Sequence, residues 1–280
     1  MKKLLTLSLA LISGLGLNSA ANAITVDGGL SDWGLTNQWT PSGNVNGQGA
    51  GTYQYNGLNI YYTVEDYISG NGGRVDPGYG GQAYDAEALY VTWDSTNLYI
   101  ALVTGHDPNT KQAGGDYAAG DFALNFWNGT SPDSNYEVGI RTPHQFSGGN
   151  PANIGLFTTG VYQTTNGDWL KDPFWHTQAV TSLKGGLTPM SEKATMSIQQ
   201  GPEKMGAGSG QHWIYEVSVA KSVFGALLKN NDELNVSWTM NCANDVITVE
   251  DDVPVDEPPV WALLGLTLPA MFWRRRRSVR

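Results

Sequence analysis

The chain has a single cysteine, Cys242, in 280 residues, so no intramolecular disulfide can form. Charge is also scarce: Asp, Glu, Lys and Arg make up 15% of residues, against about 25% in an ordinary domain. Basic residues are the scarcest where the chain is longest. Between residues 24 and 258 only nine Lys and Arg stand against all 26 Asp and Glu, a net of −17. A nucleic-acid ligand is excluded as the expected partner, because phosphates are held by cations that this region lacks. Several catalytic signatures are missing too: H-E-x-x-H, a G-x-S-x-G elbow and a phosphate loop do not occur. His106, His144, His176 and His212 are scattered, and Cys242 reads as a small buried hydrophobe rather than a nucleophile. Carboxylates are abundant because the chain is acidic, and no pair stands out as a glycosidase couple. A non-enzymatic protein is expected, with an extracellular hydrolase as the remote alternative.

What is present is glycine, 35 residues of it, together with 10 Trp and 13 Tyr. The remaining basic charge sits at the two ends. Lys2 and Lys3 precede an apolar run from Leu4 to Leu17, followed by Ala21-Asn22-Ala23. A positive start, a greasy middle and an A-x-A site read as a secretory signal over residues 1–23, cut between Ala23 and Ile24 by signal peptidase. At the other end, Pro259–Trp273 is apolar and uncharged, and Arg274, Arg275, Arg276 and Arg277 follow. Fifteen helical residues span about 22 Å, short for a hydrocarbon core of about 30 Å, and Pro269 interrupts them. A short transmembrane helix over 259–273 and a cytoplasmic tail over 274–280 are expected, an amphipathic or core helix being the alternative. The acidic residues before the run and the arginines after it give the orientation: acid exported, arginine inside.

Between these ends, the runs separated by Gly, Asn, Pro and Ser are short, aromatic and β-branched, the composition of strands. Strands are expected at Leu58–Asp66, Glu87–Asp94, Asn97–Gly105, Asp121–Trp127, Asn135–Arg141, Asn153–Thr158, Thr195–Gln199, His212–Val219, Leu234–Met240 and Val246–Glu250. A helical turn or two is expected over Ala220–Lys229. The fold class is all-β, a jelly-roll-like β-sandwich over 24–249 with long Gly-rich loops at Gly28–Asn56 and Gly70–Gln82. An acidic linker is expected over 250–258.

One hairpin can be registered from its alternation. A turn at Ser95-Thr96 pairs Trp93 with Leu98, Val91 with Ile100 and Leu89 with Leu102. That register sets Asp85 beside His106 and Glu87 near Thr104. If Asp121 opens the next strand, then Asp85, Glu87, Asp107 and Asp121 converge, a candidate Ca²⁺ site of oxygen ligands. The alternative is that strand ends of an acidic exported protein carry Asp for turns and solubility. Aromatic residues in polar, Gly-rich stretches are candidate sugar platforms: Trp39, Trp127, Trp169 and Trp175, with Phe174 beside the last. For each, the alternative is an anchor holding its own loop. Trp33, Trp93, Trp213 and Trp238 read as core.

Two resemblances add to this reading. The stretch Val255-Asp256-Glu257-Pro258-Pro259-Val260-Trp261-Ala262-Leu263-Leu264-Gly265-Leu266, with Phe272-Trp273 and the arginines, resembles the PEP-CTERM sorting tail. Glu257 and Pro258 match the second and third motif positions; Asp256 replaces the first Pro, and Pro254 lies two residues upstream. The resemblance implies recognition by an exosortase, a transient inner-membrane anchor and delivery to the surface or matrix of a Gram-negative bacterium. Thr25-Val26-Asp27-Gly28-Gly29-Leu30-Ser31-Asp32-Trp33, the hairpin around Trp93-Asp94 and Asn97–Ala101, and Ile214–Val219 are similar to family-nine-like carbohydrate-binding modules. Tyr84–Tyr90, Val103-Thr104-Gly105 and Gly120-Asp121 look like a recurrent domain of PEP-CTERM proteins. This second resemblance implies a β-sandwich with bound calcium and contacts to matrix polysaccharide.

Overall fold

The computed structural model describes residues 24–35, 49–65, 81–110, 117–128, 135–143, 155–171, 179–201 and 211–254. Thirteen strands carry the fold: β1 (Gly49–Tyr55), β2 (Leu58–Val64), β3 (Ala86–Trp93), β4 (Asn97–Thr104), β5 (Phe122–Trp127), β6 (Val138–Ile140), β7 (Gly155–Gln163), β8 (Trp169–Lys171), β9 (Val180–Leu183), β10 (Lys193–Gln200), β11 (Trp213–Ala220), β12 (Glu233–Thr239) and β13 (Val246–Pro254). Eleven of them form one antiparallel sheet in the order β1-β2-β3-β4-β11-β10-β7-β6-β5-β12-β13, and β8 pairs with β9. Every one of the ten runs read as strands overlaps one of these elements.

The sheet turns a corner at β7. Residues Gly155–Gly160 pair with β10, whereas Val161, Tyr162 and Gln163 pair with β6. The two halves then bury one core between them, following the period-two rule of strands. Leu89, Val91, Ile100, Leu102, Met196, Ile198, Tyr215 and Val217 come from the first half; Phe122, Leu124, Val138, Ile140, Val236, Trp238 and Ile247 come from the second. The last strand also packs back on the first half, the Thr63 hydroxyl of β2 donating to the Thr248 carbonyl of β13 at 2.7 Å. The sheet is therefore nearly closed, with β1 and β13 as its terminal strands.

Each half has a covered outer face. Leu58, Ile60, Tyr90, Tyr99, Ala101 and Ile214 lie under a non-strand segment, residues 24–35, which contributes Ile24, Leu30, Trp33 and Leu35. On the other half, Ala123 and Tyr162 lie under Trp169, Val180 and Leu183 of the β8–β9 pair.

The β3–β4 register agrees with the expectation at Leu89↔Leu102, Val91↔Ile100 and Trp93↔Leu98. Its turn is held by Asp94, whose Oδ1 accepts N–H bonds from Thr96 at 2.6 Å and Asn97 at 2.7 Å. The expected helical segment is a 3-10 turn at Lys221–Phe224 running into α1 (Gly225–Asn230).

Three strands were not expected. β1 lies inside the stretch read as a Gly-rich loop, because GAGTYQY has little apolar content and pairs only with β2. β8 and β9 are short strands outside the main sheet. β13 also runs farther than expected, its backbone pairing through Val253 and Pro254, so residues 250–254 are strand and not linker. The acidic run Glu250-Asp251-Asp252 falls at a register shift opposite Asn235, where a bulge lets an edge strand bend away.

Candidate functional site

The open end of the β3–β4 hairpin carries a cluster of buried polar side chains. The register slips once there: Ala88 pairs with Val103, but Ala86 pairs with Thr104, leaving Glu87 as the extra residue of a bulge. The expected juxtaposition of Asp85 with His106 therefore moves by one. The N–H of Gly105 donates to the Asp85 carbonyl at 3.0 Å, and the Thr104 hydroxyl donates to the same oxygen at 2.5 Å.

Glu87 meets His212 because β4 alone separates β3 from β11, and His212 immediately precedes β11. Glu87 Oε1 and His212 Nε2 are 2.8 Å apart, and both side chains are fully buried. The Gln82 amide donates to the same Glu87 oxygen and lies 3.0 Å from His212 Nε2. Gln82 sits on the 3-10 turn Gly81–Tyr84, pressed so tightly on Gly105 that a Cβ there would lie 1.7 Å from the Gln82 carbonyl oxygen. His106 Nδ1 lies 3.1 Å from the Ala83 carbonyl. Burial pushes its imidazole below the usual value, against the opposing pull of that carbonyl, so it is neutral at neutral pH. Asp245 Oδ2 accepts the Ala86 N–H at 2.5 Å, which ties the start of β13 to the bulge. Asp85, Glu87, His106, His212 and Asp245 are all buried. The arrangement latches β3, β4, β11 and β13 together at one end of the sheet.

Of the four carboxylates expected to converge, Asp121 and Asp107 bind their own surroundings. β5 is not the neighbour of β4; it pairs with β6 and β12 in the other half of the sheet. Asp121 accordingly binds its own surroundings, accepting the Thr142 N–H through Oδ1 and the Leu183 N–H through Oδ2, both at 2.8 Å. Asp107 is half-buried and accepts from Asn109 N at 2.8 Å and Asn109 Nδ2 at 2.9 Å, an Asx turn. Among the described residues, no group of three or more His, Cys, Asp or Glu is placed to hold a metal ion.

The aromatic candidates divide as well. Trp169 is 2% exposed; its indole N–H donates to the Thr164 hydroxyl at 3.3 Å and its ring meets Tyr136 edge-on at 6.0 Å. A ring so covered anchors β8 and has no face open to a sugar. Trp127 is half-buried at the end of β5. Trp39 and Trp175 lie outside the described residues. So do Ala21 and Ala23 of the signal site, and Glu257, Pro258 and Arg274 to Arg277 of the sorting tail. Among the described residues, no helix is long and apolar enough to cross a membrane.

The feature that sequence reasoning missed is Glu216. It stands on β11, on the outer face under residues 24–35, and is buried. Its Oε2 accepts the N–H groups of Asp27 at 2.9 Å and Gly28 at 2.5 Å, and its Oε1 accepts Trp33 Nε1–H at 2.7 Å. Gly28 has φ +85°, and a Cβ there would lie 2.2 Å from Gln199 Cγ, so only glycine lets the segment approach β10 and β11 this closely. Desolvation raises the Glu216 carboxyl to about 7 despite the three N–H donors. The signal available in the sequence was a lone Glu in the strand run Ile214–Val219, flanked directly by Tyr215 and Val217.

Compared with known proteins, the chain matches no protein-family model, no curated protein and no solved structure at a significant level.

Proposed function

We propose that this chain is an exported, non-enzymatic protein of the cell surface or extracellular matrix. It is made with a cleaved N-terminal signal and held briefly at the inner membrane of a Gram-negative bacterium by a short C-terminal helix. An exosortase acting on the PEP-CTERM-like tail then sorts it outward. Its body is a jelly-roll-like β-sandwich whose work is adhesion or matrix structure, with contacts to polysaccharide and calcium.

The observation that supports this reading best is the placement of the two processing points relative to the fold. Ile24 is a core residue, 5% exposed, and the last strand ends at Pro254. Cleavage before Ile24 and at the Glu257-Pro258 motif would leave every described strand intact. Burial of the polar cluster also favours a structural role over catalysis, since Glu87, His212 and Asp85 offer no surface to a substrate.

The test is fractionation of cells expressing the chain with Arg274, Arg275, Arg276 and Arg277 all replaced by Ala. The wild type is expected at the surface and in the medium. The variant is expected to lose that distribution, because the stop signal that positions the tail is gone. Identical distributions would remove the sorting role from the tail.

A second reading, a dedicated glycan-binding module, is favoured by Trp127. Its ring closes β5 and is only half-buried, which leaves aromatic surface for a sugar ring to pack on. Retention of the wild type, and not of Trp127→Ala, on a polysaccharide column would promote this reading over the first.

A further inference from the structure

The segment over residues 24–35 is anchored through carboxylates and has no cation. Asp27 and Asp32 lie on it and Glu216 faces it from β11. The partners of Asp32 and Glu216 are N–H groups, and no Lys, Arg or His is paired with either among the described residues. The other elements packed there contribute Tyr53 from β1, Tyr62 from β2 and Tyr90 from β3, with Ser197 and Gln199 from β10, none of them cationic.

The first residue of the segment is where a positive charge would appear. Asp32 Oδ2 accepts the N–H of Thr25 at 2.6 Å, and the half-buried carboxylate is also held by the backbone N–H groups of Asp32 and Trp33. Successive backbone nitrogens lie within about 4 Å of one another, so the nitrogen of Ile24, one residue before Thr25, lies no more than about 7 Å from this carboxylate. The Ile24 side chain is held in the core with Leu30, Trp33 and Leu35.

We propose that Asp32 is the seat of the mature N-terminus: hydrolysis of the Ala23–Ile24 peptide bond creates an α-ammonium on Ile24 that pairs with Asp32 and locks residues 24–35 onto the sheet. The step consumes one water and yields the carboxylate of Ala23 and the amine of Ile24, which is protonated at neutral pH. The inference rests on the signal-peptide reading above. Burial, and then repulsion from Asp27, holds the Asp32 carboxyl above its ordinary value before processing; a neighbouring ammonium opposes both. Cleavage would thus complete the fold as well as release the chain, and the unprocessed precursor would carry a looser segment.

The test uses the full chain as exported by a Gram-negative host. N-terminal sequencing comes first, followed by the pH dependence of amine-reactive labelling at residue 24 in the wild type and in Asp32→Asn. An Ile24 amine whose pKa lies about one unit above the ordinary 7.7–8.0, labelled several-fold more slowly at pH 7.5 than in Asp32→Asn, is the expected result. Acetylating that amine should lower the Tm of the wild type and leave that of Asp32→Asn nearly unchanged. A chain starting at Ile24 whose amine titrates normally in both proteins overturns the seat alone. A chain starting at another residue overturns the cleavage reading and the seat with it.

Discussion

Trp33 donates its indole N–H to Glu216 Oε1 at 2.7 Å, across 183 positions of sequence, and among the described residues no cation is paired with this carboxylate. The same carboxylate takes the N–H groups of Asp27 and Gly28 through its other oxygen. One side chain thus fastens residues 24–35 to the outer face of the first half of the sheet.

This bond carries a pH dependence. The Glu216 carboxyl lies at about 7 in the folded chain, raised by burial from an ordinary 4.5. A raised carboxyl means that the folded state holds a proton that the unfolded state has already lost. Its contribution to stability is fully present below about pH 4.5 and declines as pH rises through 7. Tm measured from pH 5 to pH 8 should fall more steeply for the wild type than for Glu216→Gln. The glutamine, which puts an NH₂ against one of the three donors, should cost about 1–3 kcal/mol at pH 5, and the two curves should approach each other near pH 8. Parallel curves would show that Glu216 does not titrate in this range.

Glu87 and His212 give a second expectation. Both are fully buried with 2.8 Å between Oε1 and Nε2. Removing one partner of such a pair leaves the other stranded in a dry interior, at a typical cost of about 3–5 kcal/mol. His212→Ala should destabilise by that amount in urea unfolding. An effect under 1 kcal/mol would mean that the latch contributes little.

Trp169 separates anchor from platform. It is the centre of the small cluster of Ala123, Tyr162, Val180 and Leu183. Trp169→Ala should cost about 3–5 kcal/mol, the usual penalty for truncating a buried large aromatic. It should leave polysaccharide retention at 25 °C unchanged if the domain is still folded there. Loss of retention with little loss of stability would restore Trp169 as a sugar contact.

Much of the sheet was legible in the sequence because its strands alternate cleanly. Leu89, Val91 and Trp93 against Leu98, Ile100 and Leu102 set a register that admits no one-residue slip without exposing a core face. β1 was missed although Asn56-Gly57, just after it, is a strong hairpin signal; both residues have positive φ, 50° and 82°. Its Gly and Gln content hid the strand on which that turn acts. The carboxylate cluster failed for a different reason. A bulge at Glu87 and the assignment of β5 to the far half of the sheet are set by tertiary packing, which alternation within one strand does not encode. Glu216 was invisible as a site because its partners, Asp27, Gly28 and Trp33, lie at the opposite end of the chain and two of them use only backbone N–H.

The central claim is that the folded body is delivered by removal of both ends. The most direct measurement is the intact mass of the protein recovered from the cell surface and the medium. The account predicts a chain that starts at Ile24 and ends near Pro258, lacking the four arginines. A chain that retains Arg280 in every fraction would contradict it, leaving the C-terminal segment as a permanent anchor or an unused signal.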